Sequence, residues 1–464
     1  MKAAQDAQML EEKLRRYLFT FLAVFAVGML AHILGVTHDV INHDSIYMLD
    51  AKGFYWLKNQ GKWAAGDINA YLSGKFVTAS WFLPVGLAFF AAAACLIAEI
   101  LRVKKTVSGI AIGAILVTYY AVMSMTVYYG TGYFGFCFFL AVLGAYFIAL
   151  ERKWYSFLGI GLIAGSMGGY QPYIGAAAAV LVLECICDSI YSQKETSEIL
   201  KKGIKYIVML IASVLLYYAV LQYFRLTGFI KLLNYQNIDQ LGGGSIPVIG
   251  FAQMIVSDLM DAYGFLFRRM DMPYSLIRFL NPTCGIAVGI LFCIVSWKNK
   301  LYQKWLRMLL TALLVFVIYP IAANLVVVLS MDVDAHDIMK YTLVLLFIVP
   351  VVLADRLLAQ EKTQWREAGV VGRAVHGRTA HACACTLCAA LALSWACVDN
   401  DYYRMMIQAE EQMRADCVSV MSAVYAHDDY EQGTEVALIG KPPYKVFENK
   451  YSFIASDVIR PLHH

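Results

Sequence analysis

The sequence predicts an all-α membrane protein that crosses the bilayer about eleven times, and three observations lead to this fold class. Hydrophobic residues make up 60% of the 464 residues and charged residues only 16%, whereas an ordinary soluble domain carries about 25% charge. Apolar runs long enough to cross a bilayer recur along most of the chain. Lys and Arg are concentrated in alternate connections between these runs. We therefore expect lipid to surround most of the chain.

About eleven apolar runs have the composition of a spanning helix, which needs about 20 residues. Two of them, at residues 155–167 and 284–297, are short. We expect the short runs to be tilted, extended by polar turns or part of broken helices, which are tolerated where they line a cavity or pack on protein. The predicted spans are residues 17–36, 80–100, 107–127, 133–150, 155–167, 173–191, 206–224, 284–297, 305–329, 342–359 and 379–398.

The basic residues predict how the chain is oriented in the membrane. Lys13, Arg15 and Arg16 precede the first span, and every second connection after it is rich in Lys or Arg. Because basic loops stay in the cytoplasm, we expect a cytoplasmic N-terminus. No small-residue cleavage site follows the first apolar run, so we expect this run to remain as an anchor. An odd number of spans then places the C-terminal tail outside.

Long segments are concentrated on the predicted outer side, where connections of such length are usually functional. They are residues 37–79, 225–283 and 399–464. In the last of them, the pattern predicts a helix over residues 401–425 and a strand over residues 436–440. The sequence therefore predicts a transmembrane domain of residues 1–398 and a small extracytoplasmic α/β module of residues 399–464.

Charge and cysteine usage exclude two classes of site. The net charge of +4 is spread over many connections, so we expect no basic face for a nucleic acid. Most of the 11 cysteines lie inside apolar runs, which is typical of small buried hydrophobes rather than of a disulfide framework. His381, Cys383, Cys385 and Cys388 open an Ala-rich helix and lack the paired spacing of a zinc site. We favour helix packing for them, and expect neither a metal nor a cofactor.

The first outer loop contains the main catalytic candidate, Asp44. It follows closely on the first span, together with Asp39 and His43. A partly desolvated carboxylate at the membrane surface has a raised or coupled pKa, which suits a general base. Asp39 and His43 are candidates for catalytic support. Asp44 is equally well placed to cap a helix over residues 45–60, and capping and catalysis are compatible.

The helix predicted over residues 45–60 is amphipathic and aromatic-rich, so we expect it to lie flat at the membrane interface, either beside a lipid head group or simply as an anchoring belt. A Gly-Lys-Trp turn ends it, and Trp63 in this turn is a candidate sugar contact. Further along, residues 165–173 interrupt an apolar stretch with helix breakers. Tyr170 and Gln171 in this break are candidates for hydrogen bonds to a sugar, although a turn of this composition also forms without a ligand.

Several basic residues lie on the predicted outer side, where the positive-inside rule predicts few. Their presence there therefore needs an explanation. A lipid phosphate is one reason, because the guanidinium fork of Arg matches phosphate. Pairing with outer aspartates or with bulk lipid head groups is the other. The candidate phosphate-binding residues are Arg225, Arg268, Arg269, Arg278 and Lys340. The candidate acidic partners are Asp258, Asp261, Asp271 and Asp337.

Four short motifs follow one another along nearly the whole chain: Asn42-His43-Asp44, Gly61-Lys62-Trp63, Tyr170-Gln171 and Asn400-Asp401-Tyr402. In this order they resemble the polytopic bacterial glucosyltransferases of the serotype-converting O-antigen type, which have the C-type glycosyltransferase (GT-C) fold. One motif departs from that family, whose turn is more often Gly-Arg-Trp. Lys62 in its place weakens a bidentate role at that position.

The resemblance implies transfer of a sugar, usually glucose, from a polyprenyl-phosphate carrier to a cell-surface glycan on the outer leaflet. Asp44 would take the proton of the acceptor hydroxyl, with inversion at the anomeric carbon and no metal. The implied partners are the lipid-linked donor, the glycan acceptor, the bilayer, and the proteins that make and flip the lipid-linked sugar. The implied location is the bacterial cytoplasmic (inner) membrane, with the active site on its extracytoplasmic side.

The alternative function is that of a multi-span transporter or a flippase for lipid-linked sugars. Transporters usually place charges near the bilayer midplane and contain repeated halves. Here the predicted spans are nearly free of charged residues and no repeat of fixed period is visible. The sequence therefore favours an enzyme that acts at the interface. A third possible function is that of an assembly scaffold without catalysis. Such a protein would tolerate substitution of Asp44.

Overall fold

The chain folds into a bundle of helices. The structure is a computed structural model, and it describes residues 2–38, 40, 45, 51–74, 78–233, 248–267, 275–329, 337–367, 375–431 and 435. No strand occurs in these ranges, which confirms the all-α prediction for them. The strand predicted over residues 436–440 lies outside the described residues.

The α-helices of the described ranges are numbered here in chain order. They are α1 Lys2–Ala31, α2 Ile33–Thr37, α3 Ala51–Trp56, α4 Ala65–Ser73, α5 Ala79–Ile100, α6 Thr106–Thr118, α7 Ala121–Val127, α8 Thr131–Ala149, α9 Lys153–Gly169, α10 Ile174–Tyr191, α11 Thr196–Leu226, α12 Val248–Phe267, α13 Ser275–Lys298, α14 Trp305–Leu313, α15 Tyr319–Ala323, α16 Leu325–Leu329, α17 Val349–Glu367 and α18 Val375–Tyr425. Short 3₁₀ segments adjoin them at Leu57–Gln60, Gln171–Tyr173, Leu301–Gln303 and Tyr341–Ile348, and a π segment at Leu314–Ile318.

Nine helices in the described part of the chain are long and apolar enough to cross a bilayer. A tenth span forms if α6 and α7 are counted together, although they are bent by 46° at the break between them. The span predicted over residues 155–167 lies in α9, whose 17 residues extend about 25 Å, less than a hydrocarbon core of about 30 Å. The polytopic prediction is confirmed, and the count of eleven stays a prediction.

Two helices, α12 and α18, are longer or more regular than the sequence pattern predicts. Helix α12 occupies part of the outer segment that was expected to be a long connection. Helix α18 runs for 51 residues without a break, because the chain contains no Gly or Pro between residues 378 and 425. The predicted helix over residues 401–425 is therefore the end of α18. The predicted domain boundary after residue 398 falls inside this continuous helix.

Glycines let three of the spans approach one another closely. A Cβ on Gly135 of α8 would lie 2.7 Å from the carbonyl oxygen of Gly86 in α5. A Cβ on Gly144 of α8 would lie 2.8 Å from the carbonyl oxygen of Gly159 in α9. Contacts of this kind need residues without a side chain and are common between membrane helices. They hold α8 between α5 and α9 and so fix where the outer end of α9 lies.

A buried carboxylate caps the N-terminus of α6, at the end of the bundle that is predicted to face the cytoplasm. Asp355 accepts hydrogen bonds from the backbone N–H groups of Lys104 (2.7 Å) and Lys105 (3.0 Å) and from the hydroxyl of Ser108 (2.8 Å). The Nε2 atom of His381 lies 2.7 Å from the same hydroxyl. Because Asp355 satisfies donors at a helix N-terminus, this cluster has a structural role.

A second charged cluster at the same end links α10 to α11. The ammonium of Lys202 lies 2.7 Å from Glu184 and 2.8 Å from Asp188. The hydroxyl of Tyr206 donates to Glu184 at 2.7 Å. Each buried charge therefore has an opposite charge beside it, which is the condition for burying an ion pair without a large penalty.

Candidate active site

Aromatic and polar side chains gather at the opposite end of the bundle, which is predicted to face outside. This end contains the C-terminus of α1, the break between α6 and α7, and the start of α10. Two groups of residues carry its chemistry. We call residues 57–64 the Trp63 turn. We call the second group the acidic corner: Asp258, Asp261, Asn324, Asp337 and Lys340.

The Trp63 turn is tied down by hydrogen bonds to its backbone. Gly61 closes the preceding 3₁₀ segment with a φ of +78°, a conformation that favours glycine. The hydroxyl of Tyr217 in α11 donates to the carbonyl oxygen of Gly61 at 3.0 Å. The amide Nε2 of Gln171 donates both to the carbonyl oxygen of Gln60 (3.0 Å) and to the Tyr217 hydroxyl (3.2 Å). The turn is thus fixed against α11 and against the break after α9.

The indole of Trp63 packs into the end of α9. The backbone N–H of Ala64 donates to the carbonyl oxygen of Gly168 at 2.8 Å, and a Cβ on Gly168 would overlap the Trp63 ring. On another side, the Trp63 ring lies 6.0 Å from the ring centroid of Phe224. The indole N–H is buried and has no hydrogen-bond partner in the described residues. An unpaired buried donor is costly, so this N–H favours a ligand that accepts a hydrogen bond.

Lys62 places a cation in the same turn. Its ammonium donates to the side-chain oxygen of Gln60 at 2.9 Å and lies 5.4 Å from the ring centroid of Tyr170. An aromatic face attracts a cation but does not neutralise it. Burial lowers the pKa of Lys62 to about 8. The turn therefore combines an incompletely compensated cation with the unpaired N–H of Trp63.

A chain of aromatic rings joins the Trp63 turn to the break between α6 and α7. Successive ring centroids are 5.0 Å apart from Tyr170 to Tyr173, 6.1 Å from Tyr173 to Tyr341, and 5.8 Å from Tyr341 to Tyr119. Tyr119 in turn lies 5.5 Å from Trp395 of α18. These contacts pack α9, α10 and α18 around one aromatic layer below the outer surface.

The acidic corner lies on the far side of this aromatic layer. The hydroxyl of Tyr120 donates to Asp337 at 3.3 Å. Lys340 forms an ion pair with Asp261 at 3.1 Å, and the amide of Asn324 also donates to Asp261, at 3.0 Å. Lys340 is therefore already neutralised by a carboxylate of α12.

Asp258, one turn before Asp261 on α12, is fully buried, as is Asn324. Its residue has no exposed surface, and neither carboxylate oxygen has a hydrogen-bond partner in the described residues. Burial raises the pKa of Asp258 to about 8, and the charge of Asp261 adds to this effect. The protonated form of Asp258, which can donate a hydrogen bond, is therefore more favoured than in an exposed aspartate, and the amide of Asn324 and the charge of Lys340 act in the opposite direction.

A buried histidine connects the outer ends of α1, α6 and α18, next to the start of the first outer loop. The ring of His32 is hydrogen-bonded through Nδ1 to the hydroxyl of Tyr403 (2.9 Å) and through Nε2 to the carbonyl oxygen of Val117 (2.7 Å). The carboxylate of Asp399 lies 3.8 Å from Nε2. Asn400, in one of the four sequence motifs, donates to the carbonyl oxygen of Ala31 at 2.6 Å. These contacts fix the position from which the first outer loop departs.

The predicted site residues fall into three sets. Trp63, Tyr170 and Gln171 are brought together at the Trp63 turn. Among the predicted phosphate-binding residues of the described ranges, Arg225 is exposed at the end of α11, next to Phe224, whose ring packs on Trp63. Arg278 is half-buried in α13, and Lys340 pairs with Asp261. The remaining predicted residues lie outside the described residues, and they are Asp39, His43, Asp44, Arg268 and Arg269.

Sequence reasoning passed over two groups at this end of the bundle. Lys62 is given little weight at the level of sequence because it is not an arginine, and nothing in the local pattern indicates that it has no ion-pair partner among the described residues. Asp258 was considered only as an ion-pair partner, whereas it is buried on a helix. The spacing of Asp258 and Asp261 was a usable signal for that helix, since residues three apart share one helical face.

A bundle of apolar spans with polar and aromatic groups gathered at one end defines a polytopic membrane protein with a site near the membrane surface. The profile of the Glucosyl transferase GtrII family matches residues 33–352, more than two thirds of the chain. The chain therefore belongs to the GtrII glucosyl transferase family. The matched residues include both the Trp63 turn and the acidic corner. No curated protein and no solved structure gives a significant match.

Proposed function

We propose that this chain transfers a sugar, glucose in the first instance, from a polyprenyl-phosphate carrier to a cell-surface glycan at the outer leaflet of the bacterial cytoplasmic membrane, and that it does so with a GT-C fold. The observation that carries the proposal is the match to a glucosyl transferase family on a chain with many apolar spans. A donor with a polyprenyl tail partitions into the bilayer. This explains why a glucosyl transferase would be embedded there.

The proposed reaction is a single displacement at the anomeric carbon. The acceptor hydroxyl oxygen forms a bond to this carbon while the bond from the carbon to the phosphate oxygen breaks, so the configuration inverts. Asp44 takes the proton of the hydroxyl, and a positioned base of this kind contributes roughly 10²–10⁴-fold. The phosphate leaves with the bonding electron pair, and a cation beside it stabilises the transition state. The step balances without a metal.

Asp44 lies outside the described residues, and its support comes from its sequence surroundings. The residue that follows it, Ser45, is fully buried, and so is Val40 before it. The same outer segment continues into the Trp63 turn, where the sugar contacts are proposed.

Trp63, Tyr170 and Gln171 are the proposed sugar contacts. The amide N–H groups of Gln171 already hold Gln60 and Tyr217, so a hydroxyl of the sugar would bind to its side-chain oxygen. The unpaired indole N–H of Trp63 is a donor for a sugar or phosphate oxygen. The transfer step requires the anomeric carbon of the sugar to be placed precisely. Contacts from a rigid turn would hold it in that position.

The test of the base assignment is the Asp44→Asn variant of the full chain, purified in detergent and supplied with polyprenyl-phosphoglucose and isolated cell-surface glycan. We expect the rate of glucose transfer to fall by roughly 10²–10⁴-fold, because an amide cannot accept the proton. The matched control is Asp67→Asn, since Asp67 is an exposed carboxylate of the same outer segment. Transfer by Asp44→Asn at the wild-type rate would show that Asp44 is not the base.

A further inference from the structure

Within the described part of the chain, Lys62 differs from Lys202 and Lys340 because its ammonium forms no ion pair with a carboxylate. Lys202 has two carboxylates within 2.8 Å, and Lys340 has Asp261 at 3.1 Å. Lys62 is half-buried, yet within the described part of the chain its polar contact is the neutral side-chain oxygen of Gln60. A partly desolvated charge without an opposite charge is unfavourable. The surroundings of Lys62 therefore favour an anion.

The neighbours of Lys62 fit an anion that carries several oxygen atoms. The indole N–H of Trp63, the next residue, is a buried donor without a partner in the described residues. The ring of Tyr170 lies 5.4 Å from the ammonium and limits where it can move. The side chains of Gln171 and Tyr217 donate hydrogen bonds to backbone carbonyl oxygens of the turn and hold it in place. Because the turn is already held in one conformation, binding of an anion there costs little conformational entropy.

We propose that Lys62 binds the phosphate of the lipid-linked donor, with the indole N–H of Trp63 as a second donor to the same group. This proposal rests on the proposed function, and it assigns the phosphate to a residue that the sequence pattern discounted. Two of the other basic candidates are less suited. Lys340 already pairs with Asp261, and Arg225 is exposed at the end of α11.

The charge change of the reaction gives Lys62 a role in the transfer step. The donor is a phosphodiester with one negative charge. When the bond between the anomeric carbon and the phosphate oxygen breaks, that oxygen keeps the electron pair and the product is a phosphomonoester with up to two negative charges. A fixed cation beside the phosphate therefore interacts more strongly with the leaving group than with the donor, and so accelerates the step.

The test measures binding of polyprenyl phosphate, which carries no sugar, to the purified full chain. We expect Lys62→Met to weaken this binding at least about tenfold and Lys62→Arg to retain most of it. The matched control is Lys58→Met, because Lys58 is a half-buried cation of the same turn that lies over the ring of Phe229 at 4.4 Å. It should bind like the wild type. Lys62→Gln, which keeps a polar side chain, replaces Lys62→Met if the latter fails to fold.

The outcomes separate this proposal from the proposed function. Wild-type binding by Lys62→Met would overturn the assignment of Lys62 while leaving the polyprenyl donor in place. Failure of the wild-type chain to bind polyprenyl phosphate would overturn both. Competition by phosphatidylglycerol vesicles or by inorganic phosphate as strong as that by polyprenyl phosphate would show a general phosphate site, and would also overturn the assignment to the donor.

Discussion

Burial acts in opposite directions on the two unusual ionisable residues of the outer end. It lowers the pKa of Lys62 to about 8 and raises the pKa of Asp258 to about 8, because in each case the charged form is the one that loses solvation. Neither side chain forms an ion pair with a described residue, and the charge of Lys340 offsets only part of the shift of Asp258. A bound ligand should therefore shift the pKa of Lys62 and of Asp258 more than it would shift the pKa of a solvated surface residue.

The pH dependence of donor binding follows from the Lys62 assignment. A lysine is cationic below its pKa, so the KM for polyprenyl-phosphoglucose should not change through the ionisation of Lys62 below about pH 8, and it should rise as the pH increases beyond that value. In the described part of the chain, the titratable side chains that contact the Trp63 turn include the phenols of Tyr170 and Tyr217, and the turn itself contains the cation Lys58. Lys62→Arg stays charged to far higher pH. Its KM should remain flat, and an equal rise in that variant would contradict the assignment.

At the scale of single elements, the Trp63 turn depends on the glycine-rich end of α9. Gly168 leaves room for the Trp63 indole, whereas Gly165, one turn earlier in the same helix, has open space where a Cβ would be. The two positions therefore provide a matched pair of substitutions with the same change in side chain and in helix propensity.

Gly168→Ala should displace the Trp63 turn and lower glucose transfer at least about tenfold, because small misplacements of positioning groups are costly. Gly165→Ala should leave transfer unchanged and slightly raise the thermal unfolding midpoint, since alanine is the better helix former. Transfer rates and unfolding midpoints of both variants check this. Equal transfer by the two variants would mean that the position of Trp63 does not matter for activity.

The elements that the sequence predicted well are those set by local pattern. The long apolar runs predicted the spans, and the Gly-Lys-Trp and Tyr170-Gln171 breaks predicted two turns that the fold brings together. Helix α12 was missed because Asp258 and Asp261 interrupt its apolar pattern and made it resemble an outer connection. The uncompensated charge of Lys62 is a property of its tertiary surroundings, to which residues from α9 and α11 contribute, and no local pattern contains it.

At the scale of the whole molecule, the buried polar and charged groups at the two ends of the bundle differ in their partners. The end predicted to face the cytoplasm contains buried charges that are compensated, such as Lys202 with Glu184, and a carboxylate, Asp355, that caps a helix. The opposite end contains ionisable or donor groups without a hydrogen-bond partner in the described residues, including the carboxylate of Asp258 and the indole N–H of Trp63. This separation is what an enzyme that works at one membrane surface requires, and it differs from a transporter, whose charges line a path through the bilayer.

The predicted orientation can be checked with a native cysteine. Cys417 is exposed on the last part of α18, which is predicted to lie outside. A membrane-impermeant maleimide added to cells whose outer envelope is made permeable should label Cys417 while the cytoplasmic membrane is intact, and should not label Cys417→Ser to the same extent. Labelling that requires lysis of the cytoplasmic membrane would reverse the predicted orientation.

The measurement that tests the central claim most directly is glucose transfer by the purified wild-type chain reconstituted in vesicles with polyprenyl-phosphate-linked radiolabelled glucose. With isolated cell-surface glycan present, we expect labelled glycan and polyprenyl phosphate to form in equal amounts. Vesicles without the chain should form neither. Movement of intact lipid-linked glucose between leaflets without labelled glycan would contradict the claim, because it would show a flippase rather than a transferase.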